Sequence, residues 1–387
     1  MNFDLIFIAV YFIIYFYFPL FIYPYSKSIS FLFDFNYNSN IISKGTALAL
    51  LGLNCYMFGS IYNEKHTHTW KIDIGLIPTR PIFFISLFSL IVYIALGGWQ
   101  MLAANYTNEV VTASGANYFG LFSAISMMSL IICWFINQRV SHSTYFSIWE
   151  IPKIQFIYFI FYIILILAAG SRTYPMQFIL IFVGLYTLYF KGFSFRKTCI
   201  LFSVGIVFMF AIGLMRTNYS NIYNTKSIDG LFTDLIIPTS NLYVSIDHVN
   251  DVGINYGQSM LGGLLAPVPF LQGFVSKEFN IDAQSMLSAY WFTKETLGSG
   301  SRTGVGSNII ADIYLSFGTF GVICFMFFLG YMVSSFQNGA KRNITSVIGY
   351  GIMMSYAIYI VRADYFVFLR PFVWSLIFIA LSRKFKY

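Results

Sequence analysis

Long apolar runs separated by short polar connections make up most of the chain. They fall at roughly 3 to 23, 46 to 63, 81 to 102, 119 to 138, 154 to 169, 174 to 190, 198 to 216, 309 to 336, 344 to 361 and 365 to 382. A helix needs about 20 apolar residues to cross a bilayer core, and the runs approach that length. Apolar residues cover every helical face, as from Ile157 to Ala169. The pattern therefore predicts membrane helices and excludes a β-barrel, whose strands alternate polar and apolar residues. The expected fold class is all-α: a polytopic integral membrane protein with about ten transmembrane helices (10–11), forming a single helical domain over residues 1–387. Pro19 and Pro24 interrupt the first run, and Phe31 to Phe35 is a candidate for a short further dip into the membrane.

One long polar interval breaks this rhythm. Residues 217–308 lie between the seventh and eighth runs and mix charges and prolines with aromatic clusters such as Ala266-Pro-Val-Pro-Phe270 and Tyr290-Trp-Phe292. That mixture predicts a loop partly folded and partly laid on the bilayer surface, and a loop of this size is a place for function.

Composition changes the picture only in detail. The chain is 58% hydrophobic and 10% charged. Its start, Met1-Asn-Phe-Asp-Leu, lacks the basic stretch and cleavage site of a signal peptide, so the first helix is expected to be retained. Cys55, Cys133, Cys199 and Cys324 lie in or beside apolar runs without metal-site spacing, which predicts neither a disulfide nor a zinc site. The net charge of +8 is dispersed over short connections and forms no nucleic-acid-reading patch. The positive-inside rule accounts for it. With both termini in the cytoplasm, 13 of the 23 Lys and Arg and four of the 15 acids face inward. The inner face is then net +9 and the outer face net −1. The long loop falls outside.

This division leaves Arg172, Arg216, Arg362 and Arg370 on the disfavoured side, within or at the ends of apolar helices. Arginine at such positions is costly and points to function. Residues 154 to 190 are too long for one span and break only at Gly170-Ser-Arg-Thr-Tyr-Pro175, which predicts a hairpin. Gly170 ends the incoming helix, Thr173 caps the outgoing one and Pro175 suits its first turn. A helix N-terminus beside Arg172 is an anion site, although Arg172 equally fits a headgroup anchor. Gly-Ser-Arg-Thr recurs at 300 to 303, where Arg302 sits in a Gly/Ser-rich segment able to fold over a ligand. In Arg362-Ala-Asp-Tyr-Phe-Val-Phe-Leu-Arg370-Pro371, Arg370 is expected one to two turns inside the last span, with Pro371 kinking it and freeing the Val367 carbonyl. Asp364 either pairs with Arg362 or takes part in chemistry.

Candidate proton acceptors outside are Asp247, His248, Asp251, Glu278, Asp282, Glu295, Asp312 and Asp364. His248 is the one outward histidine, with Asp247 beside it, and histidine is the residue type whose unperturbed pKa best suits base work near neutrality. A histidine in Asp247-His-Val-Asn-Asp251 also fits a solvated loop. The carboxylates do not cluster as a divalent-metal site does, so no metal is expected. Arginines on one face of a membrane with few metal ligands suit a lipid-linked diphosphate, because guanidinium grips phosphate bidentately and never loses its proton.

Several features together resemble the Wzy family of O-antigen and oligosaccharide repeat-unit polymerases. They are the Gly170-Ser-Arg hairpin, the helix ending Gly213-Leu-Met-Arg216, the long loop after it, and Gly304-Val-Gly-Ser-Asn-Ile-Ile-Ala-Asp-Ile-Tyr-Leu-Ser-Phe-Gly318 opening an apolar helix. The resemblance implies a metal-independent, cofactor-free glycosyltransferase with a GT-C-like helical fold in the bacterial inner membrane. Its partners would be undecaprenyl-diphosphate-linked glycans, the bilayer and a chain-length regulator protein. The family's basic residues carry over to Arg172 and Arg216, and physical grounds add Arg302, Arg362 and Arg370. An O-antigen ligase shares this layout and donor and differs in acceptor. A lipid-linked oligosaccharide flippase is the remaining alternative, although no internal repeat and no midplane charge supports it.

Overall fold

The computed structural model describes residues 2–24, 28–30, 34–65, 75–98, 115–141, 145–168, 171, 173–194, 196–198, 200, 205, 236–301 and 304–385. Helices occupy nine of the ten predicted runs: α1 (Phe3–Tyr17), α2 (Ser39–Lys65), α3 (Arg80–Tyr93), α4 (Ala116–Ser141), α5 (Lys153–Ala168), α6 (Thr173–Tyr189), α11 (Ile309–Gly339), α12 (Ile344–Tyr356) and α13 (Leu369–Lys384). The run at 198 to 216 lies almost wholly outside the described residues. The long loop contributes α7 (Pro238–Asp251), α8 (Leu261–Leu265), α9 (Leu271–Phe279) and α10 (Ser288–Leu297). Five helices among the described residues are long and apolar enough to cross a membrane, and α5, α6 and α12 are shorter apolar helices. The chain is a multi-pass membrane protein.

Pro19 does not end the first span. The helix continues through a π turn over Phe18–Ile22, a wider winding that accommodates a residue with no N–H to donate. β1 (Ser28–Ser30) and β2 (Asp34–Asn36) pair antiparallel, so the C-terminal part of the stretch read as a further membrane dip is strand, and residues 31–33 lie outside the described set. Pro371 gives a second departure. Because α13 starts at Leu369, the proline occupies its first turn, where a missing N–H breaks no helical hydrogen bond. Arg370 therefore stands at the helix mouth and not one to two turns inside it, and no kink arises there.

Helix α4 is the hub. From Ser123 to Ile136 it is buried on every face, packed by α3, α6, α12 and α13. Ser126 and Ser129 return their hydroxyls to carbonyls one turn back, Ser129 Oγ to Ile125 O at 2.9 Å, and Ser123 Oγ donates across to Ser86 O of α3 at 3.2 Å, so none of these hydroxyls is orphaned in an apolar core. Polar side chains bind neighbouring helices across the bundle: Trp134 Nε1 donates to Gln155 Oε1 at 2.9 Å, and Gln155 Nε2 donates to Thr79 Oγ1 at 2.9 Å.

The most extensive helix pair is α2 with α11. Their backbones nearly touch, because a Cβ on Gly59 would lie 2.0 Å from the Phe327 carbonyl oxygen and one on Gly330 would lie 2.0 Å from that of Tyr56. Small residues permit this approach, which in lipid is driven by packing. Helix α11 is itself broken. Gly318 takes φ 63° and ψ −157°, a conformation essentially restricted to glycine, and the Leu315 carbonyl accepts the loop's Asn255 N–H at 2.9 Å.

Candidate functional site

The loop is anchored where the chain re-enters the membrane. Asn308 caps α11, its Oδ1 accepting from Ile310 N at 3.0 Å and Ala311 N at 3.1 Å, while its Nδ2 donates to Pro238 O at 2.9 Å. The Tyr15 hydroxyl donates to the same Oδ1, tying α1 into the joint. On the other flank Lys44 Nζ donates to Asn250 Oδ1 at 2.9 Å, which fixes the end of α7 to the start of α2. The motif at 304 to 318 thus contains a helix cap, a first-turn acid and a helix break.

That first-turn acid, Asp312, is fully buried. Its Oδ1 accepts from Ser259 Oγ at 3.0 Å and its Oδ2 from Tyr365 N at 3.1 Å, and Ser259 meets Ser316 at 3.1 Å. Asp364, its neighbour, accepts the Ser288 hydroxyl and the Ala289 N–H at the start of α10, and Ser288 meets Ser307 at 2.5 Å. Asp364 lies in the turn between α12 and α13. Burial pushes its carboxyl above the usual carboxylate range, and the Ser288 and Ser307 hydroxyls and the Ala289 N–H pull it part of the way back. Sequence reading proposed both acids as candidates but missed their pairing, because the surrounding hydroxyls come from four separate segments.

Asp247 and His248 stand near the C-terminal end of α7 and help line a cavity of about 280 Å³ with Tyr37, Asp251, Glu295 and Thr296. His248 is held from α10. Its ring meets Trp291 edge-on at 4.8 Å, and its Nδ1 lies 3.8 Å from Glu295 Oε1. The histidine is 20% exposed, sheltered yet open to a ligand from the cavity side. Carboxylates accept from hydroxyl groups, so these walls suit a polyhydroxylated ligand. Among the described residues, no three His, Cys, Asp or Glu converge as metal ligands do.

Of the five arginines picked from sequence, Arg172, Arg216 and Arg302 lie outside the described residues. Arg362 ends a short 3₁₀ turn two residues before Asp364. Arg370 lies within electrostatic reach of Tyr174 and Tyr356. Tyr174 is the second residue of α6, so Arg370 stands beside the helix start that follows Arg172. Thr173 is the first residue of that helix and not the residue before it, and Pro175 is in the first turn as expected.

Helix α10 connects the two halves. Ser288, at its start, holds Asp364, and Glu295, seven residues on and about 10 Å along the axis, faces His248. Arg362 and Asp364 are thereby at one end of a short rigid strut and the His248 cavity at the other.

No curated protein and no solved structure matches the chain. A family model covers almost every residue: the O-antigen polysaccharide polymerase Wzy model matches residues 1–382, and the chain belongs to that family, polymerising lipid-linked repeat units in a membrane.

Proposed function

We propose that the polymerase moves a growing glycan from its undecaprenyl diphosphate carrier onto the non-reducing end of a new lipid-linked unit, with Arg172, Arg216, Arg302, Arg362 and Arg370 gripping the departing diphosphate. His248, with Asp247 beside it, takes the proton of the acceptor hydroxyl. The fold is GT-C-like with ten spans in the bacterial inner membrane and both termini in the cytoplasm, and a chain-length regulator is the partner protein. Guanidinium neutralises the leaving group, so no metal is required. The observation supporting this most directly is Arg370 within electrostatic reach of Tyr174 in the first turn of α6, because a guanidinium near a helix N-terminus suits an anion.

A second reading of the base rests on distance. His248 is a strut's length from Arg362, whereas Asp364 is two residues from it, with a carboxyl raised by burial. Alanine and asparagine variants separate the two. With His248 as base, His248→Ala costs on the order of 100-fold or more in rate and Asp364→Asn much less, and the reverse order moves the role to Asp364.

Arg370→Ala removes a bidentate, charge-assisted contact and is expected to cost about 2 to 4 kcal/mol, or roughly 30-fold to nearly 1000-fold in rate. Lysine rescues in part, keeping the charge without the planar fork. Arg342→Ala is the control, with little effect. Surface polysaccharide run on a gel at matched membrane levels reads all three. Long ladders from Arg370→Ala would reduce that arginine to a headgroup anchor. Purified protein should also polymerise lipid-linked units in EDTA, and activity lost to the chelator and restored by magnesium removes the metal-free scheme.

A further inference from the structure

The part of the loop between the 3₁₀ turn Gln258–Met260 and Asn280 carries large apolar side chains turned away from the protein. Leu264 is 47% exposed, Val268 54%, Phe270 76%, Phe274 60% and Phe279 69%, and no residue of α9 is buried. A water-soluble surface rarely gathers so many apolar side chains in so short a stretch.

Its height is set by two spans. Trp374 Nε1 donates to the Pro267 carbonyl at 2.9 Å, and Trp374 lies five residues into α13, up to about 7 Å below its mouth. Phe122 packs on Trp374 with ring centroids 4.6 Å apart, and it lies six residues, up to about 9 Å, into α4. Phe270 is higher, 5.5 Å from Tyr118 near the start of the same helix. The backbone is also close to the turn between the last two spans, since a Cβ on Gly263 would lie 3.0 Å from Phe366 Cβ. Lys277, Glu278 and Asn280 follow at the far end of α9, where polar side chains can reach back to headgroups.

We infer that residues 264–279 form a ledge seated in the leaflet on the loop side, with Val268 and Phe274 in contact with lipid acyl chains. The ledge adjoins the partly exposed first turns of α4 and of α13, at a depth matching the roughly 5 to 10 Å reached by helices lying in a membrane interface. It anchors the loop from the lipid side, independently of which residues perform the chemistry.

Photocrosslinking tests this in vesicles of phosphatidylethanolamine and phosphatidylglycerol. The full chain carries p-benzoylphenylalanine in place of Val268, Phe274, Phe88 or Lys294, one position at a time. Phe88, 63% exposed on α3, is the lipid-facing reference, and Lys294 on α10 is the aqueous one. The expected result is a mass shift of one phospholipid on irradiating the Val268, Phe274 and Phe88 proteins and none for Lys294. Should the Val268 protein not purify as a monodisperse species, Leu264 takes its place. A lipid adduct at Phe88 with none at Val268 or its substitute overturns the ledge. An adduct at Lys294 equal to that at Val268 overturns it as well, because the label then reports no depth.

Discussion

Asp364 places a buried carboxyl on the start of α10, where the helix N-terminus attracts negative charge and the Ser288 hydroxyl and Ala289 N–H donate to it. Burial nevertheless outweighs these donors and raises its pKa in the folded state. The stability this group contributes is therefore fully present below its unfolded-state pKa, about 3.9, and is lost as pH rises through the higher folded value. The melting temperature of Asp364→Asn relative to wild type should consequently climb as pH rises from about 4 through the raised folded value, since asparagine never ionises. Scanning calorimetry in detergent measures it, and a difference that stays flat or falls with pH contradicts the assignment. Single residues were legible in sequence only so far as their type is decisive. His248 stood out as the one histidine on the loop side and Arg370 by the cost of a guanidinium at a membrane helix. What sequence does not carry is the distance between Asp312 and Asp364, or the turn of α10 that presents Trp291 and Glu295 to His248.

Helix positions were legible for a different reason: lipid requires a continuous apolar stretch and an internally satisfied backbone, so each run had one available structure. Errors gathered at the ends, where a proline's effect depends on whether a helix begins one residue or one turn before it, as at Pro371. Close approach of helices was not read from the runs either. Gly59 and Gly330 are unremarkable in composition, yet each occupies a position where any β-carbon would strike a facing backbone carbonyl. Backbone cannot yield as a side-chain tip can, so Gly59→Ala should push α2 and α11 apart and cost about 1 to 3 kcal/mol or more. Gly192→Ala, with nothing within 4 Å of the added carbon, should be nearly silent. Unfolding temperature and monodisperse yield of the two proteins decide the matter, and equal behaviour would mean that the helix pair is looser than described.

At the scale of the whole molecule, contacts sort the helix ends into two levels. Tyr15 with Asn308 and Arg370 with Tyr174 mark the loop end. Tyr189 OH with Ala340 O at 2.8 Å and Ile77 N with Asn137 Oδ1 at 2.8 Å mark the other. In the proposed topology, drawn from the positive-inside rule, the second level faces the cytoplasm. Reporter fusions at Ser194 and Asn338 should accordingly read cytoplasmic and a fusion at Asn280 should read external. An internal signal at Asn280 would invert the topology and remove the arginines from the substrate's side. The break at Gly318 bears on how modular such an enzyme is. Because Asn255 supplies the donor for the Leu315 carbonyl, and Ser259 that for Asp312, the first part of α11 has its polar groups satisfied by the loop. Removing or exchanging the loop alone would strand those acceptors in an apolar bundle. A chimera that trades acceptor preference between two such polymerases therefore has its seam below the membrane surface, at Gly318, and the cassette to be moved includes the opening turns of the span as well as the loop.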